Sequence, residues 1–186
     1  MSERTQWQRI ARRIRVPLGF VFAAVFLWRA QPTWVTMAAS LVLVVPGIWL
    51  RAYAAGYVRK NSELTQTGPY GHTRNPLYLG SMMIAFGFGV AAWNWLILVV
   101  LAALFAVIYV PTIQSEEAYL REHFAGFDAY AARVPRLLPR LHAAATEDEA
   151  GRFSRALYVH HREYNASMGA ISIYAALAIK FLYLSR

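Results

Sequence analysis

Gly68-Pro69-Tyr70-Gly71-His72-Thr73-Arg74-Asn75-Pro76-Leu77-Tyr78-Leu79-Gly80 lies between two strongly apolar segments and decides how the chain reads. Its thirteen positions hold two prolines, three glycines, a His, an Arg and two Tyr. Each proline lacks an N–H and restricts the residue before it, so an apolar helix is expected to break here. What results is a polar, backbone-rich corner at the edge of a bilayer, suited to holding a charged small molecule beside a lipid. The chemistry is expected at this corner.

Working outward, 58% of the 186 residues are hydrophobic and only 16% are charged, which points to one domain of the membrane class. The net charge is +9, carried almost wholly by arginine because Lys60 and Lys180 are the only lysines. A basic chain can mean nucleic acid, but these charges flank apolar segments and form no stripe interleaved with aromatics. Membrane topology accounts for them and nucleic-acid binding does not. Cysteine is absent, which excludes disulfides, thiolate metal sites and cysteine nucleophiles.

Five apolar segments are expected to span. The first, Val16 to Ala30, is shorter than the roughly 20 residues that cross a bilayer, so it extends back through Ile10–Arg15 with its arginines snorkelling. Arg9, Arg12, Arg13 and Arg15 precede it and no small-residue cleavage site follows, so it reads as a retained span. Gln31-Pro32 turns into the second, Thr33 to Val58, which Pro46-Gly47 should kink. The third, Pro76 to Ala92, is rich in small residues that let helices approach closely, so Gly80, Gly87 and Gly89 read as packing and not as a phosphate loop. Trp93-Asn94-Trp95 is an interfacial turn into the fourth, Leu96 to Ile113.

A polar region follows. Ser115 to Ala132 reads as a helix prolonging the fourth span, and Val134-Pro135-Arg136-Leu137-Leu138-Pro139 as an extended, proline-bounded end. Ala143 to Gly151 is the expected linker, Phe153 to Tyr164 an amphipathic surface helix, and Asn165 to Leu184 the fifth span, packing through Gly169, Ala170, Ala175 and Ala176. The class is therefore all-α integral membrane, with a helical and extended segment between the fourth and fifth spans. No repeat and no strand-period alternation is present. The arginines put the amino terminus, the 51–74 connection and the 121–162 region on the cytoplasmic side, and the carboxyl terminus outside. The expected location is an inner or plasma membrane with the site facing the cytoplasm.

The run Leu64-Thr65-Gln66-Thr67-Gly68-Pro69-Tyr70 with Arg74-Asn75-Pro76-Leu77-Tyr78-Leu79-Gly80 resembles the signature of the isoprenylcysteine carboxyl methyltransferase family, which groups with membrane phospholipid methyltransferases. Glu116-Glu117, Tyr130 and the Val134–Pro139 segment match its second hallmark, and Gly47, Leu50 and Arg51 its weaker upstream pattern. The likeness covers roughly Gly47 to Leu141. This chain departs from it at Asn75, where the family has His, and in the tail from His142. Residues 1–141 are thus expected to form the methyltransferase core, and 142–186 an addition that leaves cofactor binding alone. The resemblance implies an enzyme that uses S-adenosylmethionine outside the soluble Rossmann scaffold and methylates a membrane lipid or prenylated small molecule. That zwitterionic sulfonium needs carboxylates, donors and aromatic faces. Tyr70, His72, Arg74, Asn75, Pro76, Tyr78, Glu116 and Glu117 are the expected binding set, with Arg133 and Arg136 anchoring an anionic acceptor at the catalytic end.

Plainer roles compete for several of these residues. Glu116 and Glu117 sit at a membrane exit, and adjacent helical positions point about 100° apart, so both need not enter the site. Asn75-Pro76 can be the N-cap and first residue of the third span, and Arg51 a snorkelling terminus. His160, His161 and Glu163 do not present three ligands on one helical face, so no metal is expected. The rival functions are a membrane reductase of the steroid-reductase type using a nicotinamide cofactor, and a non-catalytic lipid-binding protein.

The charge bias gives a direct test of orientation. Single cysteines replacing Arg59 or Arg121 should resist an impermeant thiol reagent applied to intact cells, while one replacing Asn94 should react. Labelling of position 121 from outside contradicts the orientation.

Overall fold

The computed structural model describes residues 21–59, 62–144 and 151–184. The arginine-rich start, the acidic stretch Glu147–Glu149 and Arg186 lie outside the described residues. Within them the protein is helical and has no strand. Three helices are long and apolar enough to cross a membrane, Trp34–Ala55, Trp95–His123 and Tyr164–Tyr183, and Pro76–Ala91 is apolar but shorter.

Helix α1 occupies 21–29 of the described chain. Helix α2, Trp34–Ala55, starts at a capping box in which Thr33 and Thr36 satisfy each other's backbone N–H groups. It runs through Pro46 and stops at Gly56, three residues short of the expected end. A 3-10 turn, Gly68–Gly71, then leads to α3, Pro76–Ala91. Trp93 adopts a left-handed φ of +47° in the next turn, and Asn94 Oδ1 accepts from the Leu96 N–H to start α4, Trp95–Leu104.

Helix α4 passes through a π-helical turn, Phe105–Tyr109, into α5, Val110–His123. Pro111 supplies the cause, because it has no N–H for the preceding turn and its ring crowds that turn's carbonyl. The expected single helix to Ala132 is broken at Phe124, whose extended backbone (φ −131°) ends α5, and α6 follows over Phe127–Arg133. The break lets Phe127, Tyr130 and Val134 bury together with Leu64 and Leu120 packed against them. The amphipathic surface helix is the short α7, Arg155–His160, and α8 is Tyr164–Leu184.

The core of the bundle is set by α2 and α3. Ser40, Val44 and Gly47 lie on the buried face of α2, and Gly80 and Gly87 on that of α3. A Cβ at Gly47 would lie 2.9 Å from Gly80 O, and one at Gly80 2.8 Å from Gly47 O, so the backbones meet where neither has a side chain. Helix α8 joins through Ala170, Leu177 and Tyr174, whose hydroxyl lies 2.6 Å from Ser40 Oγ. Of the four small residues expected at this contact, Gly169 and Ala175 face outward; the helix is rotated so that Tyr174 reaches Ser40 and Leu177 is buried.

The two ends of the bundle differ. At one end Gln31 N–H donates to Ala92 O, Asn94 Nδ2 to Arg29 O, and Lys180 Nζ to Trp28 O. The other end gathers the 68–76 corner, α5, α6 and the segment after it. Less than a third of the most apolar stretch of each long helix is buried, leaving Val42, Trp49, Val99, Ile171 and Ile179 outward. An apolar surface of that extent belongs in lipid.

Gly47→Val should lower stability by about 1–3 kcal/mol, read as a lower unfolding temperature in detergent, because it drives a side chain into Gly80 O. Gly169→Ala, with nothing within 4 Å, should stay within about 0.5 kcal/mol of the parent.

Candidate functional site

The polar corner takes its shape from its turn residues. Gly68 has φ +59°, which glycine tolerates, and a side chain there would strike the Tyr57 ring. Pro69 pre-sets the 3-10 turn that follows. Through this turn and the residues after it, the chain bonds to 130–144. Tyr130 Oη donates to Tyr70 O (2.8 Å), Ala144 N–H to Gly71 O (2.9 Å) and Arg140 N–H to His72 O (3.0 Å). His72 Nδ1 lies 2.9 Å from Arg140 O, and Arg74 N–H donates to Pro135 O at 2.9 Å.

Thr73 and Asn75, two apart and both buried, face the same way. Thr73 Oγ1 donates to Leu137 O (3.0 Å) and Asn75 Nδ2 to Arg136 O (2.8 Å). Asn75 thus holds the N-cap position of α3 without a capping side-chain bond; its amide is committed to the Arg136 carbonyl instead. The proline-bounded segment is stitched to the corner along its length.

Glu117 stands at the centre. Its residue is 4% exposed, and Oε2 accepts from Arg136 Nε (3.0 Å) and Nη2 (2.8 Å). Arg74 Nη2 lies 3.4 Å from Oε1, an ion pair without a hydrogen bond. Glu117 Oε1 and Arg74 Nε are both buried and have no hydrogen-bond partner. Such groups cost free energy until something pairs with them. The bonds and charge of Glu117 raise the Arg136 guanidinium above its ordinary pKa, so it stays cationic.

Glu116 points elsewhere, as its 100° offset requires. Its Oε1 accepts from Tyr78 Oη at 2.8 Å, and the Tyr78 ring meets Tyr109 edge-on at 5.3 Å. Tyr109, in the π-helical turn, stacks on Phe105 at 4.2 Å. Burial pushes the Tyr70 and Tyr130 hydroxyls well above the ordinary tyrosine range, which keeps both protonated.

The structure therefore brings Tyr70, His72, Arg74, Asn75, Pro76, Tyr78, Glu116, Glu117 and Arg136 to one end of the bundle. Arg133 is held apart from Glu117, its Nε on Ala129 O (3.2 Å) and Nη2 on Gln66 Oε1 (3.3 Å) at the surface. Sequence reasoning missed Thr73, whose polar alternation with Asn75 was a usable signal. It also missed the pairing of Arg51 with Glu163, 112 positions apart, for which no spacing signal exists. Among the described residues no group of three His, Asp or Glu side chains is arranged for a metal ion.

Residues 35–126 match the family model for phospholipid methyltransferases. The chain is 34% identical over 136 residues to the nickel-cobalt-cadmium resistance protein NccN of Alcaligenes xylosoxydans xylosoxydans, covering 68% of this chain and 63% of that protein. It is 32% identical over 136 residues to the cobalt-zinc-cadmium resistance protein CzcN of Cupriavidus metallidurans, covering 68% and 62%. The match thus spans less than two thirds of the length of these relatives. No solved structure matches the chain.

Tyr130→Phe removes a buried side-chain donor to Tyr70 O and should cost about 1–3 kcal/mol at neutral pH. Because burial raises both tyrosines, the stability they contribute is full below about pH 10 and lost as pH climbs beyond it. Thermal unfolding from pH 7 to 11 should show a smaller alkaline loss in Tyr130→Phe than in the parent.

Proposed function

Since residues 35–126 belong to the phospholipid methyltransferase family, we propose that this chain is an integral-membrane methyltransferase using S-adenosylmethionine, with a lipophilic acceptor. The acceptor we assign is an isoprenylcysteine-like carboxylate or a related lipid. The observation that carries this reading is the buried Glu117 between Arg74 and Arg136, with one oxygen and one guanidinium N–H unpaired. An amino-acid zwitterion complements that pair: Glu117 Oε1 accepts from its ammonium and Arg74 Nε donates to its carboxylate.

When bound, S-adenosylmethionine supplies a methyl group activated by a sulfonium. The aromatic set Tyr78, Tyr109 and Phe105 offers ring faces to a cation beside the carboxylate of Glu116. The clamp between 70–75 and 130–144 buries Glu117 and Arg74, which strengthens the interaction between them, while Arg136 stays half exposed. Arg136 uses two of its five donors on Glu117, leaving others for an anionic acceptor group, and Arg133 is the outer guanidinium of the same segment. An acceptor carboxylate is ionised at neutral pH, so no residue need take its proton. Catalysis is then positioning and desolvation.

In this reading the five apolar segments all span, the site faces the cytoplasm, the cofactor enters from water and the acceptor from the bilayer. The named relatives are metal resistance proteins. For this chain we assign no metal ligation, since Glu163 is committed to Arg51, and we place any share in metal tolerance with membrane lipid chemistry.

Loss of a charge-assisted contact costs about 1.5–3 kcal/mol, or roughly ten- to hundredfold in affinity. Calorimetric titration of folded Glu117→Gln and Arg74→Gln with S-adenosylmethionine should show losses of that size. Parent-like affinity in both removes the cluster from the site. Binding of a nicotinamide cofactor in place of S-adenosylmethionine by the parent favours the reductase, and binding of neither the lipid-binding protein.

A further inference from the structure

The tail, beyond the matched 35–126 segment, closes back on α2. Ser154 N–H donates to Gly56 O (2.9 Å), His161 Nδ1 lies 3.2 Å from Ala55 O, and the Phe153 ring lies over Gly56, nearly parallel to Tyr53. Arg162 then takes a left-handed φ of +54°, a rare conformation for a side chain of its size, and the next residue is Glu163. Both carboxylate oxygens of Glu163 engage Arg51: Oε1 at 2.8 Å from Nη2 and Oε2 at 3.0 Å from Nε. The two side chains are only 11% and 25% exposed.

The remaining guanidinium nitrogen goes to α3. Arg51 Nη1 donates to Leu77 O at 3.3 Å and to Ser81 Oγ, while Ser81 Oγ donates to the same Leu77 carbonyl. Gly80 makes room for this, since a Cβ there would lie 2.7 Å from Arg51 Cγ. Leu77 sits between Pro76 and Tyr78, in the turn that fixes where Asn75 and Tyr78 point.

We propose that Glu163 is a positioning residue of the candidate site: it occupies two nitrogens of Arg51 and thereby aims the third at the first turn of α3. An Arg free at Nε and Nη2 would turn toward other acceptors or water. With both bound in bidentate fashion it has one orientation, and Leu77, Asn75 and Tyr78 inherit it. The working unit therefore reaches to residue 163, and the tail is not the addition without bearing on cofactor binding that the sequence alone suggests. The link to cofactor affinity rests on the methyltransferase reading; the link to α3 does not.

The test separates this from a simple staple between tail and core. Glu163→Ala should speed hydrogen exchange in 76–81 and weaken S-adenosylmethionine binding about tenfold, the cost of roughly one charge-assisted bond. In the swap Arg51→Glu with Glu163→Arg the ion pair re-forms, but position 51 has no donor for Leu77 O. The swap should restore exchange protection in 164–184 and leave 76–81 fast and binding weak. Should Glu163→Ala not fold, Glu163→Gln, which keeps one acceptor for Arg51, is expected to show the same pattern at smaller size. Full recovery of 76–81 in the swap, or parent-like exchange there in Glu163→Ala and Glu163→Gln, overturns the proposal. If the parent binds no S-adenosylmethionine the methyltransferase reading fails, and the exchange results still decide the role of Glu163.

Discussion

Glu117 governs the polar end of this molecule, because a carboxylate at 4% exposure has lost most of its water and must be repaid by its neighbours. Arg136 repays it with two hydrogen bonds and Arg74 with charge alone. Removing one partner of such a cluster costs about 3–5 kcal/mol, far more than the pair adds over an apolar filling. The cluster is therefore a poor device for stability and a good one for fixing position. It ties α5 to the corner before α3 and to the segment after α6, three pieces of chain that packing alone would leave free to slide.

The apolar bundle makes that meeting possible. Glycine against glycine at 47 and 80 brings α2 and α3 into backbone contact, so the α3 start lies beside Arg51. The turn at 93–95 sends α4 back along the bundle, and its extension α5 arrives where Glu117 meets Arg74. The π-helical turn before Pro111 sits on this return path and carries Tyr109 against Tyr78. Membrane-length helices and the charged corner are thus one construction, with the corner held at the common end of α2, α3 and α5.

Much of this was legible in the sequence for local reasons. Pro and Gly mark the corner, hydropathy marks the helices, and the offset between Glu116 and Glu117 leaves room for the two to face different ways. What was not legible depends on distance along the chain. The α5–α6 break at Phe124 carries no proline and follows from burial of Phe127 and Tyr130, a tertiary demand. Asn75 has the look of an N-cap, yet Arg136 O, 61 positions away, takes its amide. Arg51 looks like a snorkelling end until Glu163 is brought to it. Of the small residues in α8, Ala170 packs inward and Gly169 does not, because Tyr174 and Leu177 set the rotation of that helix.

The central claim is that the unpaired oxygen of Glu117 and the unpaired N–H of Arg74 receive the amino-acid end of S-adenosylmethionine. Comparing its binding to the full chain with that of the decarboxylated analogue, which keeps the ammonium and sulfonium, isolates the Arg74 half of that claim. The account predicts weaker binding of the analogue by roughly tenfold or more, one charge-assisted contact, with the difference abolished in Arg74→Gln. Equal affinity for the two molecules in the parent chain would contradict it.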